Sequence, residues 1–249
     1  MDKIREAFNG KKANIGYIVA GYPSIEHTKE FLRNYDKSSL DLLELGVPYS
    51  DPLADGKFIA EASFTTAANG VNTDSVFEIL KECKGEFNKP IVFLIYFNLI
   101  FSYGMEKFVK TCAQYGVSGL IVPDLPYEEN GEFFKLCTAH KIALVPLISV
   151  TSAYRTDKIL TSGSGFIYAI GAIGVSGSKR ASNERLAMLV KELKSKSDLP
   201  VAVGFGVKNS VDANEVKGYA DGAIIGTVMV ELTAKYSGKE LMDKISELF

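Results

Sequence analysis

Eight short β-branched runs, each followed by an amphipathic stretch, constrain this chain more than any other feature. The runs are Ile15–Ala20, Leu40–Val47, Ile91–Phe97, Gly119–Pro123, Ala143–Ser149, Gly165–Ile170, Val201–Gly204 and Gly222–Ile225. Their mean spacing of about 30 residues suits a strand plus its return helix. Parallel neighbours need such crossovers, so the pattern predicts an α/β protein with a parallel sheet. Eight units without a break in composition, in 249 residues, favour one closed (β/α)8 TIM barrel spanning 1–249. An open doubly wound sheet is the alternative; it is disfavoured because no G-x-G-x-x-G follows the first run.

The helical stretches read from their caps and periods. Ser24 can cap a helix carrying Phe31, Leu32 and Tyr35. Thr73 can cap one carrying Val76, Phe77, Leu80 and Cys83. Met105, Phe108, Val109 and Cys112 hold helical spacing before Gly116, and Leu186, Leu189, Val190 and Leu193 do the same. An extra N-terminal helix over Ile4–Phe8 precedes the first run and can plug the barrel bottom.

Composition removes several function classes. Net charge is −2, which gives no footprint for nucleic acid or an anionic membrane. No apolar run is long enough to span a bilayer, and no signal-peptide core opens the chain, so a cytoplasmic protein is expected. Cys83, Cys112 and Cys137 are widely spaced with apolar neighbours and read as helix filler. With two distant histidines, His27 and His140, neither a metal site nor a Ser-His-Asp triad is suggested.

In such a barrel, chemistry sits at the C-terminal ends of strands and in the loops after them. Glu44, Asp55 and Asp124 pass that filter. In the second run Leu43, Leu45 and Val47 share one face, while Leu42 and Glu44 share the other. If the first set faces the helices, Glu44 points into the barrel mouth. Apolar walls there raise a carboxyl pKa and suit it to general acid–base work. Asp51 and Asp55 lie in a loop stiffened by Pro48 and Pro52. Either can be turn chemistry, and Asp55, just before Gly56 and the helical run Phe58–Ala68, can be an N-cap.

Three glycine-bearing junctions fall in the last three units. They are Gly174-Val175-Ser176-Gly177, Gly204-Phe205-Gly206 and Gly226-Thr227. Barrels often bind phosphate there through backbone amides, and Thr227 adds a hydroxyl. No Lys or Arg is embedded in these motifs, so amides are expected to do most of the binding. The polar loop Gly171–Asn183, with Lys179 and Arg180, has the make-up of a lid. Tyr17, Tyr96, Tyr168 and Phe205 lie at strand ends and are candidates for an apolar pocket.

The stretch Leu43-Glu44-Leu45-Gly46-Val47-Pro48-Tyr49-Ser50-Asp51-Pro52-Leu53-Ala54-Asp55-Gly56 closely resembles the signature of the tryptophan synthase alpha chains. The resemblance runs along nearly the whole chain, through Ala20-Gly21-Tyr22-Pro23, Tyr96-Phe97-Asn98, Pro123-Asp124-Leu125-Pro126 and the three glycine junctions. It implies a lyase that cleaves indole-3-glycerol phosphate to indole and glyceraldehyde 3-phosphate by a retro-aldol reaction. By resemblance, Glu44 is the acid–base at indole C3, Asp55 the carboxylate at N1, and Tyr168 their neighbour. Gly177, Gly206, Gly226 and Thr227 match the phosphate cradle, and Tyr17, Tyr96 and Phe205 the indole pocket. Ser176 stands in the lid where the family commonly has threonine, and Thr227 where serine is common. The family works without a cofactor in this chain and pairs with a pyridoxal-phosphate beta chain as an αββα heterotetramer. Asp51, Asn98 and Pro126 would face that partner. The alternatives are another phosphate-binding barrel enzyme of aromatic or histidine biosynthesis, and a non-catalytic regulatory subunit.

Overall fold

The strand runs form one parallel sheet whose order closes on itself. The computed structural model describes residues 2–171, 182–204 and 206–249. Its strands are β1 (Ala13–Val19), β2 (Leu42–Gly46), β3 (Ile91–Leu94), β4 (Val117–Ile121), β5 (Ala143–Leu144), β6 (Leu147–Ser149), β7 (Ile167–Ile170), β8 (Val201–Gly204) and β9 (Gly222–Ile225). Every ladder is parallel, in the order β5-β4-β3-β2-β1-β9-β8-β7-β6.

The ends of that order are two pieces of one expected strand. The run 143–149 is split at Val145-Pro146, because proline has no N–H to give to a ladder. The first half pairs with β4 and the second with β7. The residues between them complete the join: Val145 N donates to Leu120 O at 2.9 Å, and Tyr168 N donates to Pro146 O at 2.9 Å. The sheet is therefore a closed (β/α)8 barrel, with its fifth strand interrupted.

Helices follow as the pattern predicts, with local corrections. Ser24 caps Ile25–Asn34 by accepting from His27 N. The next expected cap moves by one residue: Asn72, boxed with Ser75, caps Thr73–Glu82, and Thr73 is its first helical residue. The third run ends early, because Phe97 begins the helix Phe97–Tyr103. Its N–H donates to the carboxylate of Asp124 at 2.8 Å, so Asp124 serves as a cap from a distant loop. The three cysteines are buried and unpaired as disulfides. Among the described residues no helix is long and apolar enough to cross a membrane.

Strand alternation divides the core in two. Leu43, Leu45 and Val47 pack outward against helix residues that include Val76, Phe77 and Leu80. Leu42, Ile15, Val92, Ile121, Ala202 and Ile224 fill the barrel interior. Ile4, from the short helix Asp2–Ala7, joins the interior group and is fully buried. Phe8 packs on Phe166 with ring centroids 5.6 Å apart. This helix plugs the N-terminal end of the strands and leaves the other end open.

Replacing Ile4 with alanine should cost about 2–5 kcal/mol of stability in urea unfolding. A loss below about 0.5 kcal/mol, the size usual for surface positions, would show that the helix does not plug the barrel.

Candidate active site

With Leu42 inside the barrel and Leu43 and Leu45 outside, the two-residue period leaves Glu44 no choice but the interior. It sits in register with Tyr17 on β1 and Val92 on β3. The residue is 1% exposed, and its Oε1 has no hydrogen-bond partner among the described residues. Burial without a compensating charge pushes its pKa from 4.5 to about 8. At neutral pH Glu44 is a protonated acid.

Asp55 is held by its loop and by Tyr96. The helix Lys57–Ala68 starts from Gly56, with no side-chain cap, so Asp55 is not the N-cap. The Tyr96 hydroxyl accepts from Ala54 N at 2.9 Å and donates to Asp55 Oδ2 at 3.0 Å. Burial raises the Asp55 pKa to about 6, with the tyrosine bond opposing part of the rise. Burial and the neighbouring carboxylate push the Tyr96 phenol up, so it stays a donor. Asp55 is thus mostly ionised where Glu44 is mostly neutral. Two acids with separated pKa values can act as a proton donor and an electrostatic stabiliser.

Both acids open on one cavity of about 320 Å³. Tyr17 and Tyr168 line it beside them, and Ile59, Leu94 and Ile224 give it an apolar wall. Both tyrosines are buried, and the charges of Glu44 and Asp55 add to the rise of their phenol pKa values. Each ring lies over a glycine of the neighbouring strand. A Cβ at Gly46 would strike Tyr17, and one at Gly204 would strike Tyr168.

Gly206, Gly226 and Thr227 line the same cavity. Helix Thr227–Lys235 begins there from Gly226 with no side-chain cap, which leaves its first amides open to a ligand. The nearby helix Ser210–Lys217 is instead capped by Asn209, which accepts from Asp212 N at 2.9 Å. An anion is therefore best held at Gly226–Thr227.

The remaining candidates are not among the described residues that line this cavity. Tyr96 stands behind Asp55 and does not line the cavity itself. Ser176, Gly177 and Phe205 lie outside the described residues, as do Lys179 and Arg180. Asp51, Asn98 and Pro126 are exposed. Their segments touch: Asn98 Nδ2 reaches Tyr49 Oη at 3.5 Å, and Asp124 holds Phe97 N. Leu53 and Phe101, on the same segments, are 83% and 67% exposed. Sequence reasoning missed Leu94 and Ile224, although both follow from strand alternation. It also missed Lys208 and Glu231, which line the cavity too. A larger cavity of about 740 Å³ lies at the plugged end beside Arg5 and Phe8. Its Lys194 and Asp221 are paired at 2.6 Å, and barrel chemistry is not found at that end.

Known proteins match this architecture along its length. The family model described as tryptophan synthase alpha chain matches residues 4–248. A tryptophan synthase alpha chain of Campylobacter jejuni is 42% identical over 243 residues, covering 97% of each chain. One from Lacticaseibacillus casei is 40% identical over 235 residues, covering 94% of this chain and 88% of that one. Among solved structures, the tryptophan synthase subunit alpha of Campylobacter jejuni superposes with a TM-score of 0.88 at 42% identity, covering 97% of each chain. That of Legionella pneumophila gives 0.88 at 29% identity, covering 100% of this chain and 97% of that one.

The buried acid gives a stability signature. Its folded pKa lies above the unfolded value, so the folded state holds the extra proton. Stability is then full below about pH 4.5 and is lost progressively as pH rises to about 8. Glu44→Gln removes this dependence. The variant should gain on the order of a few kcal/mol over the parent at pH 8.5, and little at pH 4.5, in urea unfolding without ligand. Parallel stability curves for the two proteins would refute the raised pKa.

Proposed function

The chain belongs to the tryptophan synthase alpha chain family, a lyase that cleaves indole-3-glycerol phosphate in tryptophan biosynthesis, and we propose that Glu44 and Asp55 carry its chemistry. One observation carries this reading: a neutral buried carboxyl and an ionised one share a single cavity.

Indole is a poor carbon leaving group until C3 is protonated. The Glu44 carboxyl gives its proton to C3, and the positive charge moves to N1. Asp55, held by Tyr96, accepts a hydrogen bond from the N1–H and offsets that charge. The Glu44 carboxylate then takes the proton of the glycerol hydroxyl next to the breaking bond. The bond's electron pair returns to the ring, and indole and glyceraldehyde 3-phosphate leave. Glu44 ends protonated, as it began, so proton transfers alone balance the step. Tyr168 and Tyr17 confine the ring beside the acids.

The phosphate binds at Gly206, Gly226 and Thr227, supported by the uncapped helix that starts there. Gly177 completes the cradle, Ser176 serves the lid and Phe205 completes the indole pocket, all by family resemblance, while Tyr96 holds Asp55 from outside the cavity lining. The whole of 1–249 works as one domain: the plug helix lies in the barrel interior, and Leu241 and Ile245 of the last helix pack into the outer core.

The family implies a beta-chain partner. The partner carries pyridoxal phosphate, this chain needs no cofactor, and the assembly is an αββα heterotetramer in the cytoplasm. Asp51, Asn98 and Pro126 face the partner, supported by the linked, exposed segments that hold them and by exposed Leu53 and Phe101. Asp51 is separated in role from Asp55 although four residues apart.

Glu44→Gln should lower indole release by about a thousandfold or more while phosphate-ligand binding stays within about twofold. Near-normal turnover would remove Glu44 from the chemistry. Asp55→Asn should cost about a hundredfold in kcat; an unchanged rate would strip Asp55 of its role. In the parent, kcat/KM should fall below about pH 6, as Asp55 gains a proton, and above about pH 8, as Glu44 loses one. A profile flat from pH 5 to 9 would contradict both assignments.

A further inference from the structure

Lys208 lines the cavity together with Gly206, Gly226 and Thr227, two residues after the Gly-Phe-Gly junction. The charge count there is unbalanced. Three carboxylates, Glu44, Asp55 and Glu231, line the cavity against one base among the described residues. Glu44 is neutral at pH 7. Asp55 is mostly ionised, and Glu231 lies one turn into the helix that opens at Gly226. A substrate phosphate adds about −1.5 to −2 charges. An open helix N-terminus offers only about +0.5. The ligand therefore brings more negative charge than the backbone cradle offsets.

Lys208 is positioned to supply the difference. Its backbone N–H is already used, donating to Asp212 Oδ2 at 2.9 Å. That bond, with the Asn209 cap, anchors the segment and leaves the side chain as the part that can reach a ligand. The ammonium makes no ion pair among the described residues. An exposed lysine is commonly just solvated, yet this one borders a cavity whose occupant is a dianion. We propose that Lys208 binds the substrate phosphate and neutralises it, a role that rests on the phosphate site assigned above.

The test uses the complex with a saturating beta chain, measuring indole release. Lys208→Met should raise KM for indole-3-glycerol phosphate about tenfold, with a much smaller change in kcat. The inhibition constants of glycerol 3-phosphate and inorganic phosphate should rise by the same factor. That of indole, which carries no phosphate, should not move. Lys208→Arg should recover binding to within about threefold of the parent. Added salt should weaken glycerol 3-phosphate binding more steeply in the parent than in Lys208→Met. Unchanged KM and phosphate inhibition in Lys208→Met would overturn the proposal. Thr227→Val separates the two levels. If it weakens glycerol 3-phosphate while Lys208→Met does not, the cradle stands and the lysine assignment fails. If neither phosphate compound competes with substrate in the parent, the cradle falls and the proposal with it.

Discussion

The site depends on one constraint: a closed barrel gives every strand residue only two directions. On β2, Leu43, Leu45 and Val47 take the outward direction because the surrounding helices offer them apolar partners. Glu44 is thereby sent inward. A register slip would free it, but a slip would also send two buried leucines into the wrong layer. Hydrophobic packing outside the barrel thus holds a buried carboxyl inside it. The desolvation cost stays in the native state as a raised pKa, and that pKa makes the acid available at neutral pH.

The second acid is tuned by different means. Asp55 is on a loop, so strand alternation cannot place it. The Tyr96 hydroxyl does, by bridging Ala54 N and the Asp55 carboxylate. The same hydrogen bond moderates the effect of burial and keeps Asp55 more acidic than Glu44. A strand and a loop side by side therefore yield two carboxylates in opposite charge states. The prolines of the loop also keep Asp51 apart, on an exposed surface with Asn98 and Pro126.

The barrel, the plug helix and the inward face of Glu44 could be read from the sequence, because period and spacing are local. What depended on long-range contacts could not. The helix that Phe97 starts has its first N–H held by Asp124, 27 residues away. Asp55 could have been a cap until the backbone gave that place to Gly56. Tyr96 looked like a pocket wall, and its bond to Asp55 spans 41 residues. Lys208 was not singled out, since nothing local shows that its loop borders a cavity with three carboxylates. The break in the fifth strand at Pro146 was not read from the run Ala143–Ser149, although it follows locally from the missing N–H.

The central claim is that packing keeps Glu44 protonated at neutral pH before any ligand binds. Isotope-edited infrared titration of the carboxyl groups, comparing the parent with Glu44→Gln, measures this directly. The account predicts a protonated carboxyl band at pH 7 that is missing in the variant and titrates with a midpoint near 8. A difference band that is already fully ionised at pH 6 would contradict it.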